Sequence, residues 1–497
     1  MSYEKLKETF STLYNLNHLG SIAYVDQAVM MPVGANDARS KAMGTLSKIT
    51  HEMITDSTVG EQLKAAEDDD LSGWDAANLS CMKRRYEAAT LLPSDFVAKQ
   101  TEITMNCEHL WRQLRHENDW KQFQPALESV LELAIEEADI KAQHYGLSPY
   151  NALLDGYEEG LSTERVDTIF GTVKPFLIDL IPTVLEKQEK EFKSFDFDEV
   201  FSIEDQKSLG LEIMGHIGFD FDHGRLDVSH HPFCGGVPED VRITTRYNTD
   251  EFGSSIMGVI HETGHAMYEQ NLPKDYLDQP VGHPRGMLIH ESQSLIMEMQ
   301  ACRSREFTSF LLPKLKERWT LKGLDTDEDL EMLYLKVKPS YIRVDADELT
   351  YPLHIMMRYE IEKKLISREM TVADIPEAWE SYMQEFFGLS TKKNGDYDYA
   401  DGCMQDPHWA FGGFGYFPTY SLGAMAAAQL FAKAKEENSD CLSTIANGDF
   451  IALNSWLNKN LRNLGSSKTY DEILTDATGS DLDPQYFMTH ITKRYLG

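Results

Sequence analysis

The sequence predicts a mainly α fold with one small β-sheet, and three observations carry that prediction. Apolar residues recur at helical spacing over most of the 497 positions. Strand-like alternation is confined to 224–246, where Val241, Ile243 and Thr245 alternate with Arg242 and Thr244. No Pro-, Gly- or Ser-rich linker and no internal repeat divides the chain. It therefore reads as one unit, 1–497, with a helical half to about residue 200 and a chemistry-bearing half from about 201. A 42% hydrophobic content suffices for a large core.

Taken in order, amphipathic patterns predict helices over 5–16, 38–66, 93–115, 123–144 and 163–192. The sheet segment follows. Between Phe252 and Leu272 there is no proline, and Ile256, Met257, Ile260, Gly264, Met267 and Tyr268 recur at helical spacing. Glycine inside a helix costs about 1 kcal/mol relative to alanine, so Gly264 implies that another element approaches closely there. A further helix carries the stripe Leu288, Leu295, Met299 and Cys302, and the last clear one spans 418–437, opening on Pro418. The methionines near these helices (Met257, Met267, Met287, Met297, Met299) read as core filler.

The formal charge is −34, from 47 basic and 81 acidic residues. Such a balance excludes a phosphate-binding surface and with it a nucleic-acid partner. The run Glu67-Asp68-Asp69-Asp70 reads as solvated surface. The polar start Met1-Ser2-Tyr3-Glu4-Lys5 and the lack of an apolar run of roughly 18 residues predict neither secretion nor a membrane partner. Six cysteines are scattered without CxxC spacing, which predicts a reducing cytoplasmic setting without disulfides.

The chemistry is written at 261–265, His-Glu-Thr-Gly-His. Histidines four apart on a helix share a face, roughly 5–6 Å between Cβ atoms, so His261 and His265 can hold one metal ion. Glu262 then stands beside a water on that ion as general base. At this chain's His and Glu frequencies such a pentapeptide arises by chance in about one chain in twenty of this length, so context decides.

A catalytic zinc usually takes three protein ligands and keeps one position open. Glu291 lies in the apolar stripe, three residues after Leu288 and four before Leu295. A carboxylate there is costly unless paired or metal-bound, which makes Glu291 the third ligand. Glu298 and Glu269 are rivals, the latter poorly placed because it shares a helix with the histidines. His290 is an alternative ligand, with its side chain turned elsewhere if Glu291 faces the metal.

The chain resembles the carboxypeptidase Taq family of metallocarboxypeptidases over most of its length. Besides the zinc pentapeptide, matching segments are Gly224-Arg225-Leu226-Asp227 leading to His231-Pro232-Phe233; Asp240-Val241-Arg242-Ile243-Thr244; His290-Glu291-Ser292-Gln293-Ser294; Ile342-Arg343-Val344-Asp345-Ala346-Asp347; and Gly402-Cys403-Met404-Gln405-Asp406-Pro407-His408-Trp409. Asp26, Met31-Pro32 and the run from Tyr150 to Glu158 also fit. One departure is Val25, where the family usually has tryptophan. The resemblance implies removal of single residues from peptide C-termini with zinc, or cobalt in some members. It further implies a helical saddle or clamshell with a deep groove, peptide substrates with a free carboxylate, and a homodimer.

The implied chemistry needs an oxyanion donor and a reader of the substrate carboxylate. In the related zinc peptidases the donor is a Tyr helped by a His, both well after the zinc motif. Here Tyr420 is the first choice, His408 assists and Tyr416 is the rival. Gly412, Gly413 and Gly415 suggest a mobile loop before that helix. Arginine's planar fork suits a carboxylate, and Arg343 is preferred to Arg242. Asp347 is a candidate to orient a metal-bound histidine. Arg242 with the His231-Pro232-Phe233 loop would close the groove, whose short sheet edge suits an extended peptide. Two other readings stay open: a dipeptidyl carboxypeptidase or oligopeptidase with the same site, and a non-catalytic, metal-stabilised helical protein that binds peptides. Glu262 speaks against the second, since a structural site has no use for a base.

Overall fold

The computed structural model describes residues 2–193, 195, 197–229 and 231–497. Long helices open the chain: α1 Ser2–Val29, α2 Asn36–Ile54, α3 Ser57–Ala66, α4 Gly73–Thr90, α5 Ser94–Glu117, α6 Trp120–Tyr145, α7 Pro149–Tyr157, α8 Thr163–Glu191 and α9 Ile203–Ile217. The single helix expected over 38–66 is two helices. Asp56 breaks it, because its carboxylate accepts from the Thr58 amide at 2.8 Å and starts α3 as an N-cap. Helix α8 is long and apolar enough by composition to cross a membrane. Its Val166, Ile169, Phe170, Val173, Leu177, Leu180, Ile181 and Val184 nevertheless form one stripe buried in the core.

The strand-like segment forms a three-stranded sheet of β1 Gly224–Val228, β2 Cys234–Val237 and β3 Asp240–Thr245. The order is β1-β3-β2, with β1 parallel and β2 antiparallel to β3. Val241 and Ile243 point into the core and pack under the next helix, α10 Gly253–Glu269. The free edge of β2 is partly covered by α1, whose Ser21 hydroxyl accepts from the Gly236 amide at 2.9 Å.

After α10 come α11 Met287–Leu295, continued by a π-helical turn Ile296–Ala301, then α12 Arg305–Arg318, α13 Asp327–Tyr334, α14 Tyr351–Ile366 and α15 Ile375–Phe387. A two-stranded hairpin, β4 Lys392–Lys393 and β5 Asp396–Tyr397, precedes α16 Pro418–Glu437. Helices α17 Cys441–Ile445, α18 Ile451–Asn460, α19 Tyr470–Thr478 and α20 Pro484–Leu496 end the chain.

One hydrophobic core runs from Cys107 to Tyr495. A small second cluster unites Tyr3, Leu6, Phe10 and Leu13 of α1 with Val59, Leu63 and Ala66 of α3 and Leu79 and Met82 of α4. The stripes of α6 and α8 are buried in the same core as the motif-bearing helices.

At the centre, α11 lies between α10 and α16 and packs against both. Glycine makes this possible at two points. A Cβ on Gly264 would stand 2.5 Å from the Gln293 carbonyl oxygen and 2.6 Å from the Ser294 Cα. A Cβ on Gly423 would stand 2.9 Å from the Cβ and Cγ of Glu291. The close approach implied by Gly264 is therefore that of α11.

Candidate metal centre

His261, Glu262 and His265 lie on α10, and Glu291 on α11. The ligand atoms of His261, His265 and Glu291 lie within 4.8 Å of one another, and the two imidazole rings are 5.0 Å apart at right-angled tilt. His265 Nε2 is 3.5 Å from a Glu291 carboxylate oxygen. Glu262 and Glu291 are each 7% exposed, so these charges sit largely away from water.

Each histidine is held from behind. His261 Nδ1 faces Glu298 Oε2 at 2.9 Å, and the other oxygen of Glu298 accepts from Arg303 at 2.6 Å. His265 Nδ1 faces His290 Nδ1 at 2.7 Å, and His290 Nε2 faces Glu269 Oε1 at 2.9 Å. Antiparallel packing explains the pairing: moving up α10 through 261, 265 and 269 meets 298, 291 and 290 coming down. Both Glu291 and Glu298 reach α10, Glu291 toward His265 and Glu298 toward His261.

Burial dominates the electrostatics. It pushes the Glu262 carboxyl up to about 7, with the charges of Glu291 and Glu298 adding and His261 opposing. Burial also works against protonation of His261, but Glu298, Glu291 and Glu262 outweigh it and lift that imidazole to about 10. His265 falls to about 4, through burial and the neighbouring histidines, against the pull of Glu291. Burial works against ionisation of Glu291, yet His265 and His261 hold it below the usual carboxylate range. Three carboxylates thus face two imidazoles, and the cluster draws a proton onto His261 to balance them. A divalent cation supplies that positive charge directly, and the N, N, O donor set suits zinc or cobalt. The residues fit the ion.

A second layer packs over Glu291. Tyr416 and Tyr420 sit with ring centroids 5.0 Å apart, and burial foremost, with the Glu291 charge contributing, raises both phenols above their ordinary range. Tyr420 Oη lies 3.5 Å from His408 Nε2. His408 is pushed down to about 3, by burial and by Arg343 and Arg358 against the pull of Asp406, and is therefore neutral. The glycines expected to make this loop mobile serve its geometry. Gly412 and Gly415 have φ of 85° and 89°, and the Gly415 amide donates to Glu362 at 2.9 Å. Glu362 also takes Tyr150 Oη at 2.6 Å and Trp409 Nε1 at 2.7 Å.

Two sequence expectations need correction. Arg343 was expected to offer its fork to a substrate carboxylate. Instead Asp406 fills its Nε–Nη2 edge at 3.1 and 2.8 Å, and Nη1 donates to Tyr351 at 3.2 Å. The residue is 5% exposed and lies against the Tyr420 ring at 5.2 Å. Arg242 is also paired, two-point with Asp240 at 2.8 and 2.9 Å, but keeps a quarter of its side chain exposed. Asp347 orients no histidine: it accepts from the amides of Leu349, Thr350 and Lys338 ahead of α14. Glu298, expected as a rival ligand, fills the orienting role, and both nitrogens of His290, the alternative ligand, are engaged elsewhere.

Sequence reasoning passed over Arg358. This fully buried guanidinium donates to Asp406 at 2.7 Å and to Gln405 at 2.8 Å. The signal was present, since Arg358 stands among Leu353, Ile355, Met356, Met357, Tyr359 and Ile361. A charge in an apolar helix implies a buried partner.

The sequence profile of the Carboxypeptidase Taq (M32) metallopeptidase family matches residues 5–495. The chain belongs to the carboxypeptidase Taq family. It is 35% identical to a thermostable carboxypeptidase 1 of Thermus thermophilus over 99% of this chain and 98% of that protein. A carboxypeptidase 1 of Bacillus subtilis is 34% identical over 99% and 98%. Among solved structures, Trypanosoma cruzi metallocarboxypeptidase 1 superposes with a TM-score of 0.97 at 41% identity, covering 100% of this chain and 99% of that one. Pyrococcus furiosus carboxypeptidase gives 0.94 at 31% identity, covering 100% and 99%. As a carboxypeptidase Taq member the chain is a peptide hydrolase of the metallocarboxypeptidase class, and His261, His265 and Glu291 form its candidate divalent-metal site.

Proposed function

We propose that this protein removes single residues from the free C-termini of peptides, with zinc as its ion and cobalt as a competent substitute. The observation that carries this reading is Glu262, buried on α10 beside His261 and one turn from the pairing with His265 and Glu291 that makes up the three-ligand cluster. A general base must stand within reach of the water it activates.

When bound, the ion supplies a Lewis acid for the scissile carbonyl and lowers the pKa of a water toward about 7. Glu262 takes the proton of the attacking water and returns it to the leaving amine. Tyr420, kept protonated by burial, donates to the developing oxyanion. Neutral His408, with its proton on Nε2, donates to the phenol oxygen and leaves the phenol's own proton for the oxyanion, and Tyr416 packs across it. Capture of the substrate carboxylate falls to Arg242, which is partly exposed, with the remaining N–H of Arg343 Nη1 as a single-point contact. Cytoplasmic peptides are the substrates and a homodimer is the working form; support comes from the family resemblance and from the scattered, unpaired cysteines.

Two measurements test this. Glu262→Gln should abolish turnover with metal content intact, and normal cleavage by that variant rules out the base. Mass spectrometry of a digested peptide should show a ladder of single-residue losses. Losses of two residues or internal fragments would assign the dipeptidyl or oligopeptidase activity instead.

A further inference from the structure

The two metal-site histidines are supported by different devices. His261 has a carboxylate directly on Nδ1, whereas His265 has another imidazole, and only beyond it a carboxylate. We propose that His290 and Glu269 form an imidazole-bridged relay that fixes the tautomer and ring orientation of His265, making both positioning residues for the metal centre. The inference rests on the metal-dependent reading above.

Proton counting defines the relay. His265 turns Nε2 toward Glu291 and the shared ligand cluster, so that nitrogen's lone pair is the one available to an ion. A neutral imidazole then carries its proton on Nδ1. The 2.7 Å contact between the two Nδ1 atoms needs one proton between them, so His265 donates and His290 accepts. His290 must therefore carry its own proton on Nε2, which donates to the Glu269 carboxylate at 2.9 Å. Every donor meets one acceptor.

Glu269 is one turn beyond His265 on α10, and its carboxylate meets His290 Nε2 rather than His265 Nδ1. His290 precedes Glu291 on α11 and spans the gap, with its ring 4.6 Å from that of His265 and 5.4 Å from Tyr268. Adjacent residues of α11 thus serve the ion from opposite sides, Glu291 as ligand and His290 as support.

Zinc affinity, measured by competition against a chromophoric chelator, is the test. His290→Ala should weaken zinc binding by about 10–100-fold, the range for lost outer partners of metal ligands. His290→Asn should recover most of that loss, because its Oδ1 can accept from His265 where Nδ1 did. Glu269→Gln should lose less than His290→Ala, since it retains an acceptor without the charge. Combining His290→Ala with Glu269→Ala should add little to the first change, as the two act in one chain. In the cobalt-loaded protein, His290→Ala should shift the visible absorption bands, and melting of metal-free proteins gauges any purely structural loss. Wild-type-like zinc affinity in His290→Ala and Glu269→Gln, with zinc bound normally by wild type, overturns the relay alone. Failure of wild type itself to bind zinc overturns the metal reading as well. Should His290→Ala not fold, the His290→Asn and Glu269→Gln affinities decide the matter.

Discussion

Tyr420 and Arg343 touch one another, yet they are expected to fail in different ways when changed. Removing the Tyr420 hydroxyl (Tyr420→Phe) deletes a donor used in the transition state, so kcat should fall about 10²–10³-fold with KM little altered. Tyr416→Phe should cost far less; a larger loss there would exchange their roles. Arg343→Ala leaves Asp406 with Arg358 as its remaining guanidinium partner, and breaking a buried pair costs about 3–5 kcal/mol. It should therefore lower the melting temperature and impair both peptide types, free-acid peptides somewhat more because the single contact from Nη1 is lost as well. Arg242→Ala, at a partly exposed position, should leave melting nearly unchanged and selectively weaken cleavage of free-acid peptides. Equal losses on both peptide types would remove Arg242 from carboxylate capture. The histidine pair and Glu291 of the candidate metal site were legible from spacing and from the cost of a buried acid. The destination of Arg343 was not, because its partner lies 63 residues away and nothing local announces it.

Among the elements, the spacing of α10, α11 and α16 decides whether the ligands meet. Gly264→Ala would gain about 1 kcal/mol of helix propensity. It would also force a methyl against the backbone of Gln293 and Ser294, which cannot swing aside. Overpacking of this kind costs about 1–3 kcal/mol, so net destabilisation is expected. Gly423→Ala presses instead on the stem of Glu291 and should weaken metal binding more than folding. Comparing melting with zinc affinity for the two variants checks this; unchanged affinity in Gly423→Ala would free Glu291 from dependence on α16. The start of α11 offers a pH test. Glu158, fully buried, accepts from the Leu288 amide at 2.9 Å, and burial raises its carboxyl to about 7 against the pull of Arg285. A folded value above the ordinary 4.5 favours the protonated form. That stability is present below pH 4.5 and lost as pH climbs to 7, on the order of 3 kcal/mol. Glu158→Gln should flatten this part of the stability curve, and an unaltered slope would remove Glu158 as its source. The run from Tyr150 to Glu158 looked like a motif without a task, and its task is anchoring: Tyr150 to Glu362, Glu158 to α11.

For the molecule as a whole, helical class and the small sheet followed from periodicity, since stripes on α6 and α8 and alternation in β3 are local properties. The strand partners in β1-β3-β2 order were hidden, because they depend on which segments meet across long stretches of chain. The layered centre follows from that packing: candidate ligands on α10 and α11, Tyr416 just before α16 and Tyr420 in its first turn, and a buried Arg343–Asp406–Arg358 cluster beside them. An ion tying α10 to α11 adds to global stability by mass action, about 2.7 kcal/mol at one hundred times its dissociation constant. Elemental analysis of the purified protein, paired with release of C-terminal residues before and after a chelator, is the most direct measurement. One divalent ion per chain is expected, with trimming lost on chelation and regained on adding zinc or cobalt. Full activity from protein free of metal and unaffected by the chelator would contradict the assignment.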